Sequence, residues 1–428
     1  MTSDHADNLW RQSHRADTDV PALSGDIQTD LLVIGGGFTG CSAALEAAQS
    51  GADVILLEAR TIGHGGSGRN VGLVNAGLWL PPDEITKKIG QTAGMRLIDA
   101  LAVGPDLVFR LVQEHGIDCD ATRNGTLHLA HSPSGLRSLQ SRFRQGNRTG
   151  APLQLLDAEE TVRRTGSRAF HGALFDPRAG TVQPLAYCRG LAQAARDAGA
   201  KLFENSGVEA IAHDGALWTA QVHGHRVRAK HLILATNAYA DGISGAPTRE
   251  FVPVHFSQFA TAPLTQEQLR DILPGGEGCW DTDLVMSSLR IDREGRLIIG
   301  GVGNVAGLGA AIHRKWADRK LAQFYPELAG TPFRHAWSGA IAMTSDHLPK
   351  VLSFGPNALS IFGYSGRGIG PGTVFGKRAA RALLFGEDSG LPVQISQRYS
   401  EGLKAPRAAY YELGAVMSHA IRPILKKS

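Results

Sequence analysis

The sequence predicts a two-domain α/β protein: a Rossmann-like domain built on a Gly-x-Gly-x-x-Gly turn, and a second, mainly antiparallel α+β domain. Three observations carry this. The segment 30–58 reads strand, glycine turn, helix, strand. Glycine, with 52 residues, forms clusters near 35–40, 63–72, 300–309 and 363–376. Between those clusters, βαβ spacing gives way to runs of consecutive strands, as when a parallel nucleotide-type sheet is interrupted by an antiparallel one. At 428 residues and 43% apolar content, the chain has material for two cores.

The chain opens without an apolar run of signal-peptide length, and no later run is long enough to span a bilayer. Its four cysteines, Cys41, Cys119, Cys188 and Cys279, are scattered without a CxxC pair, so neither a disulfide framework nor a zinc site is indicated and no metal is expected. A reducing cytoplasm is the expected compartment. The net charge of +4 comes without a basic block, which argues against a nucleic-acid partner.

The first βαβ unit is the most informative segment. Residues 30–34 form an apolar run of the length of a buried parallel strand. Gly35 lets the chain turn, Gly37 lets the backbone touch a pyrophosphate, and Gly40 lets the following helix pack on the strand. The helix 41–50 turns its N-terminal N–H groups toward the phosphates. Glu58, at the end of the second strand, is placed to accept hydrogen bonds from ribose hydroxyls, which disfavours a 2′-phosphate. This fingerprint leaves NAD and FAD open.

Next comes GHGGSGRNVG, residues 63–72, with five glycines in ten residues. Neither helix nor strand favours that composition, because glycine loses the most backbone freedom on folding. The loop starts at the sheet's C-terminal edge, where such folds bind ligands, and suits a ring system lying against backbone, such as an isoalloxazine. Further along, helices are expected at 93–115, 135–147, 184–199, 266–272, 312–325 and 373–385. Strands are expected near 125–131, 201–204, 217–222, 227–235, 252–262, 284–291, 296–301 and 359–363. Residues 401–428 read as a C-terminal helical tail. In GIGPGTVFGKR, Gly376-Lys377 imitates the end of a phosphate loop, but Pro371 and Arg378 stand where Gly and Ser or Thr belong, so this is no ATP site. As a helix start, 366–373 offers N–H groups to an anion instead.

These segments together resemble the FAD-dependent oxidoreductases of the D-amino-acid oxidase, glycine oxidase and sarcosine oxidase group, and more closely its gamma-glutamylputrescine oxidase-like branch. The resemblance rests on GGGFTG with Glu58-Ala59-Arg60, on GGSGRN, on TVQPLAYCRGLAQAARDAGAKLFE, on HLILATNAY, on LRIDREGRLIIGG, on WSGAIAMTSDHLP and on FGYSGRGIGPG. The matches run in family order from about 25 to 390.

The resemblance implies FAD held by Gly35, Gly37, Phe38, Thr39, Gly40, Glu58, Ala59, Arg60, Gly66, Ser67, Arg69, Asn70, Val208 (through its main chain), Thr236, Asn237, Gly339, Gly366, Arg367, Gly368, Ile369, Gly370 and Thr373. It implies a discontinuous FAD-binding domain (1–80, 151–246 and 335–400) and a substrate domain (81–150 and 247–334). A non-covalent flavin is preferred, since the last flavin segment has no cysteine; a histidyl link through His64 stays open. Arg367 departs from the branch, which commonly has histidine there.

The implied reaction is oxidation of a C–N bond in a small amine or amino acid, with oxygen or another electron acceptor as second substrate and no obligatory protein base. Arg367, Tyr364, Arg290 and His255 are the candidate catalytic residues: Arg290 as a carboxylate clamp, with a structural salt bridge as its competing role; Tyr364, with Trp337, as an aromatic wall; His255 as a cavity-facing group alternating with Val254 and Phe256. Asp346 and His347 read as part of a flavin-side strand. The rival readings are a dehydrogenase, a hydroxylase, against which the missing Gly-Asp-Ala motif counts, and a flavin-binding subunit without its own activity. Oligomeric state is left open.

Overall fold

Leu31, Leu32, Val33 and Ile34 are all buried, and they form the inner half of the strand Ile27–Ile34. A run this apolar requires cover on both faces, the position of a central parallel strand. The computed structural model, which describes residues 8–13, 19–239, 242–248, 250–307 and 309–425, places it there. Ile27–Ile34 lies between His225–Leu234 and Val54–Leu57, parallel to both, and the parallel set continues to Ala358–Phe362 on one side and Lys201–Phe203 on the other. Antiparallel neighbours and one short parallel edge strand complete nine strands.

The helix Phe38–Gln49 covers this sheet and is crossed by Ile369–Phe385. The crossing is close: a Cβ on Gly376 would lie 2.1 Å from the Thr39 carbonyl oxygen, and Ser42 Oγ donates to the Thr373 carbonyl at 2.7 Å. Lys377, of the false phosphate loop, pairs with Glu46 at 2.8 Å.

The second sheet has eight strands in the order Phe333–Met343, Val252–Pro263, Arg296–Val302, Ser287–Ile291, Gly278–Asp281, Thr126–Leu129, Ala173–Asp176, Gln154–Leu156. All its pairings are antiparallel except that of Gly278–Asp281 with Thr126–Leu129. The expected fold class, a Rossmann-like α/β unit with a mainly antiparallel partner, is therefore the one observed. Three strands inside the segments assigned to the flavin domain, at 154–156, 173–176 and 333–343, pair within this second sheet.

Some elements differ from expectation. The helix read over 93–115 is two, Gln91–Ala102 and Gly104–Glu114. Pro105 lacks the N–H that a continuous helix needs one turn in, so the chain restarts at Gly104. The helix Ala158–Thr165 went unread although Asp157 caps it, accepting from Glu160 N at 2.8 Å, and Gly166 ends it in the left-handed region. Asp346 and His347 lie in the turn after Phe333–Met343, not in a strand. Asp346 caps Leu348 N and pairs with Lys350, while His347 Nδ1 faces Met343 Sδ.

The short N-terminal helix Leu9–Gln12 ties the sheets together. Trp10 is fully buried; its Nε1 donates to the Asn70 carbonyl at 2.8 Å, its ring meets Trp337 edge-on at 5.7 Å, and the Arg290 guanidinium lies 5.6 Å from it. Asn8 donates to the Gly68 carbonyl, and Gln183 to that of Trp10.

The C-terminal helix Lys404–Leu425 packs on Val252–Pro263 and on Ala310–Phe324. Its anchor is a histidine pair. His313 Nδ1 lies 2.8 Å from His419 Nδ1, and the His419 ring stacks on Trp316 at 4.3 Å. Two ring nitrogens so close share one proton, one donating and the other accepting; two imidazolium rings there would repel. Burial holds His313 below the usual histidine range, opposed by the Glu412 carboxylate. A histidine with a lowered folded pKa binds fewer protons folded than unfolded, so its stability contribution is complete above the unfolded value of about 6.5 and is lost as pH falls below it. Acidification from about pH 7.5 to about 5.5 is therefore expected to lower the hydrogen-exchange protection factors of Lys404–Leu425, corrected for the pH dependence of intrinsic exchange, more than those of the nine-stranded sheet. A tail helix indifferent to pH would contradict the pairing.

Candidate active site

A cavity of about 830 Å³ runs from the glycine turn of the first sheet to the face of the second. That is within the size range of ligand sites. Its first wall is the turn itself, where Gly35, Gly37, Phe38 and Thr39 line it together with Glu58, Ala59, Arg60 and Val208. Gly35 sits at φ 109°, a conformation side chains rarely adopt. Gly40 does not line the cavity: a Cβ there would lie 1.9 Å from the Gly35 carbonyl, so it packs helix on strand, as the fingerprint requires. The helix N-cap, Gly37, makes no side-chain cap bond, which leaves first-turn N–H groups for an anion. Glu58 accepts from Gly36 N at 2.8 Å and Arg60 N at 2.9 Å, bonds that fix the carboxylate against the cavity. Burial nonetheless pushes its pKa up.

The loop 63–72 forms the next wall through His64, Gly66, Ser67 and Asn70. Ser67 Oγ accepts from Phe38 N at 3.0 Å, joining the loop to the first helix turn. Asn70 folds the loop on itself, donating to the Gly66 and Ser67 carbonyls and accepting from Gly72 N. Arg69 stays out of the cavity: it is buried, donating to the carbonyls of His64 at 3.0 Å and Ser338 at 2.9 Å. Gly339 is likewise a packing glycine, since a Cβ there would meet the Phe256 ring at 2.4 Å. Trp337, expected in the aromatic wall, is fully buried and donates to the Arg69 carbonyl.

The segment after Ala358–Phe362 closes the cradle. Tyr364, Gly366, Arg367, Gly368, Ile369 and Gly370 line the cavity beside Thr236 and Asn237; Thr373 points inside its helix, bonded to the Ile369 carbonyl and to Tyr187. Asn237 Oδ1 accepts from Gly363 N at 3.0 Å, holding the segment to the end of the strand His225–Leu234. Tyr364 presents its ring, but its hydroxyl is bonded to Thr39 Oγ1 at 2.8 Å, and burial pushes its pKa up. Arg367 lines the cavity with its guanidinium 4.9 Å from the Trp280 ring centroid. Burial and the nearby Arg142 press its pKa down. This cradle of substituent-free backbone, helix N-terminus and ribose-facing acid fits a flavin dinucleotide.

The second sheet supplies the far wall: Val254, Phe256 and Gln258 from one strand, with Trp280, Met286 and Ser288. Strand alternation explains the fate of His255. Val254, Phe256 and Gln258 point into the cavity, so His255 points to the other face, where Nδ1 lies 3.6 Å from Glu412 of the tail helix. Arg290 is also absent from the cavity. Only 1% exposed, it donates to the Val182 carbonyl and pairs with Asp120 at 3.0 Å, joining the sheet to the segment before Pro184–Asp197. Its structural role excludes that of a substrate clamp. Gln258, Trp280 and Ser288 were missed; the alternation VHFSQ carried a signal for Gln258, while Gly278–Asp281 is too short a strand to show a period.

A family model described as DAO, FAD dependent oxidoreductase, matches residues 30–382. The chain is similar to "Probable oxidoreductase OrdL" of Rhizobium meliloti (strain 1021), 31% identical over 371 residues and 85% of each chain. It is similar to the gamma-glutamylputrescine oxidoreductase of Escherichia coli (strain K12), 29% identical over 383 residues and 89% of each. Its fold is similar to the crystal structure of glycine oxidase from Geobacillus kaustophilus, with a TM-score of 0.68 at 21% identity, covering 90% of this chain and 98% of that one.

The placement of Arg290 has a measurable consequence. Removing one partner of a buried ion pair costs about 3 kcal/mol, so Arg290→Met is expected to lower chemical-denaturation stability by about that much while folded protein keeps its full flavin content. A variant of unchanged stability that has lost affinity for substrate would restore Arg290 to the site.

Proposed function

Because the chain belongs to the DAO family of FAD-dependent oxidoreductases, we propose that it oxidises the C–N bond of a small amine or amino acid. The observation that carries this reading is the continuity of one cavity from the glycine cradle to the apolar wall of Val254, Phe256, Met286 and Trp280. Bound FAD supplies a two-electron acceptor that takes a hydride. The chain's residues do the rest. Glu58 and the first turn of Phe38–Gln49 would hold the dinucleotide. Gly368 caps Ile369–Phe385, whose N-terminal N–H groups, with Arg367, favour negative charge at that end of the cavity. Val254, Phe256 and Met286 keep water from the carbon that loses hydride.

The substrate enters as a neutral amine, whose nitrogen lone pair drives hydride departure; the resulting iminium is cleaved by water to a carbonyl compound and an amine or ammonia. No protein base is needed, consistent with Tyr364 bonded to Thr39 and His255 facing away. Within this reading the flavin is non-covalent and the acceptor that reoxidises it is oxygen or another oxidant. The protein has two discontinuous domains along the boundaries expected from sequence, with strands 154–156, 173–176 and 333–343 assigned to the sheet they pair in. Among the described residues no helix is long and apolar enough to cross a membrane.

Anaerobic mixing with gamma-glutamylated polyamines, N-methyl amino acids and D-amino acids tests the reading. At least one class is expected to bleach the flavin band near about 450 nm, and acid precipitation should leave the yellow colour in the supernatant. Bleaching by a hydroxy acid or a glycerol phosphate but by no amine would assign the site to another reaction. Colour in the pellet would point to a covalent link, with His64 the first suspect.

A further inference from the structure

The C-terminal helix Lys404–Leu425 is apolar on two opposite faces. The inner face is covered. Ala408 and Tyr411 pack against Val252, Val254 and Met343, Ala415 is buried, and His419 stacks on Trp316. The outer face stands in solvent. Pro406, Tyr410, Leu413, Met417 and Ala420 are all exposed, Tyr410 at 73%, Leu413 at 61% and Met417 at 57%. Leu403, in the turn that leads into the helix, extends the row at 75%. Single exposed apolar residues are ordinary, but a continuous row marks an interaction site, and a helix apolar on every side belongs in an interior.

Two features say what covers the row. The first is spacing. From Pro406 to Ala420 the steps are four, three, four and three residues, the alternation by which one helix seats its side chains on another. The second is charge. Lys404 pairs with Glu250 at 3.2 Å, Arg407 with Glu401, Glu412 faces His255 at 3.6 Å, and His419 is bonded to His313. These are all the charged and imidazole side chains over 404–420, so the outward row carries none. A partner recognised by charge finds nothing to read there, and an anionic bilayer finds none of the lysine and arginine that draw interfacial helices. A face without charge meets its own copy without repulsion.

The row is also self-complementary when reversed. Laid antiparallel on a copy of itself, about a twofold axis between Tyr410 and Leu413, it sets Tyr410 against Leu413, Met417 against Pro406 and Leu403 against Ala420. In each pair a larger side chain meets a smaller one. Ala409 and Gly414, exposed beside the row, add no bulk to hold the helices apart. The stretch 403–420 is about 27 Å long at the α-helical rise. Two such faces remove on the order of 1,000 Å² from water, the size at which specific interfaces begin.

We propose that Tyr410, Leu413 and Met417 form the centre of a dimer interface in which the C-terminal helices of two copies of this chain pack antiparallel. His255, which meets Glu412, points to the face of the second sheet turned away from the cavity. The pairing therefore leaves both cavities open, and it holds whichever compound is oxidised.

Sedimentation velocity of the full-length, flavin-loaded protein at micromolar concentration is expected to give twice the 45.5 kDa of one chain. Tyr410→Glu with Leu413→Glu sets carboxylates of both copies against each other and should weaken the dimer about a hundredfold or more. The resulting monomer is expected to keep its flavin. Tyr410→Lys with Leu413→Glu places each lysine opposite a glutamate of the copy and should recover part of the dimer, whereas parallel helices would set like charges together. If the double-glutamate protein fails to hold flavin, Met417→Glu repeats the test at the end of the row. A monomeric unaltered protein would overturn the proposal, and its flotation with phosphatidylcholine–phosphatidylserine vesicles would give the row to a membrane. So would a dimer that the glutamates do not split. A lysine–glutamate variant no tighter than the double-glutamate one would overturn the antiparallel arrangement.

Discussion

The architecture depends on how closely one helix approaches the first sheet and a second helix approaches that helix. Gly40 lets Phe38–Gln49 rest against the Gly35 carbonyl, and Gly376 lets Ile369–Phe385 rest against the Thr39 carbonyl. Any side chain at either point would push backbone from backbone, and densely packed interiors have no slack to absorb that. Both helix N-termini thereby open on one cavity, from segments more than three hundred residues apart in sequence. The glycine loop between them is set by the same approach, because Ser67 caps Phe38.

Arg290 and Arg367 show how one residue type serves two ends. Arg290 is removed from bulk water and Arg367 partly so, a cost that must be met by partners. Arg290 meets it inside the protein, through Asp120, the Val182 carbonyl and the face of Trp10. Arg367 has one long bond and an aromatic face, and its remaining donors border the cavity. A guanidinium with a complete partner set is architecture; one with an incomplete set is available to a ligand. Sequence position alone could not make that distinction, because it depends on which carboxylates the fold brings near.

Much of the first sheet was legible. The apolar run before Gly35, the glycine spacing and the terminal Glu58 each have a local physical cause, and the structure sets them side by side. The cavity-facing set was legible in part. Gly35, Gly37, Glu58, Ser67, Asn70 and 366–370 were found because backbone that approaches a ligand must be glycine-rich, a signal that composition records. Arg69, Gly339 and Thr373 sat in the right segments but face the wrong way. His255 erred by one residue on a strand, which is a whole face. Gln258 shares the alternation of Val254 and Phe256, a signal the sequence carries, whereas nothing local marks Trp280. Strands of two to four residues, such as Gly278–Asp281, are too short for alternation to declare them.

Trp10 gives the fold an order in time. Its indole is held by the Asn70 carbonyl, its own carbonyl by Gln183, its ring faces by Arg290 and Trp337. A ribosome releases the tryptophan early and its last partner only after three quarters of the chain has been made. Domains form broadly in the order of synthesis, so this N-terminal segment has to wait, its indole unburied, while both sheets are assembled behind it. Its docking is then among the closing events of biosynthesis, and it adds a further tie to a glycine loop that Ser67 and Arg69 already hold.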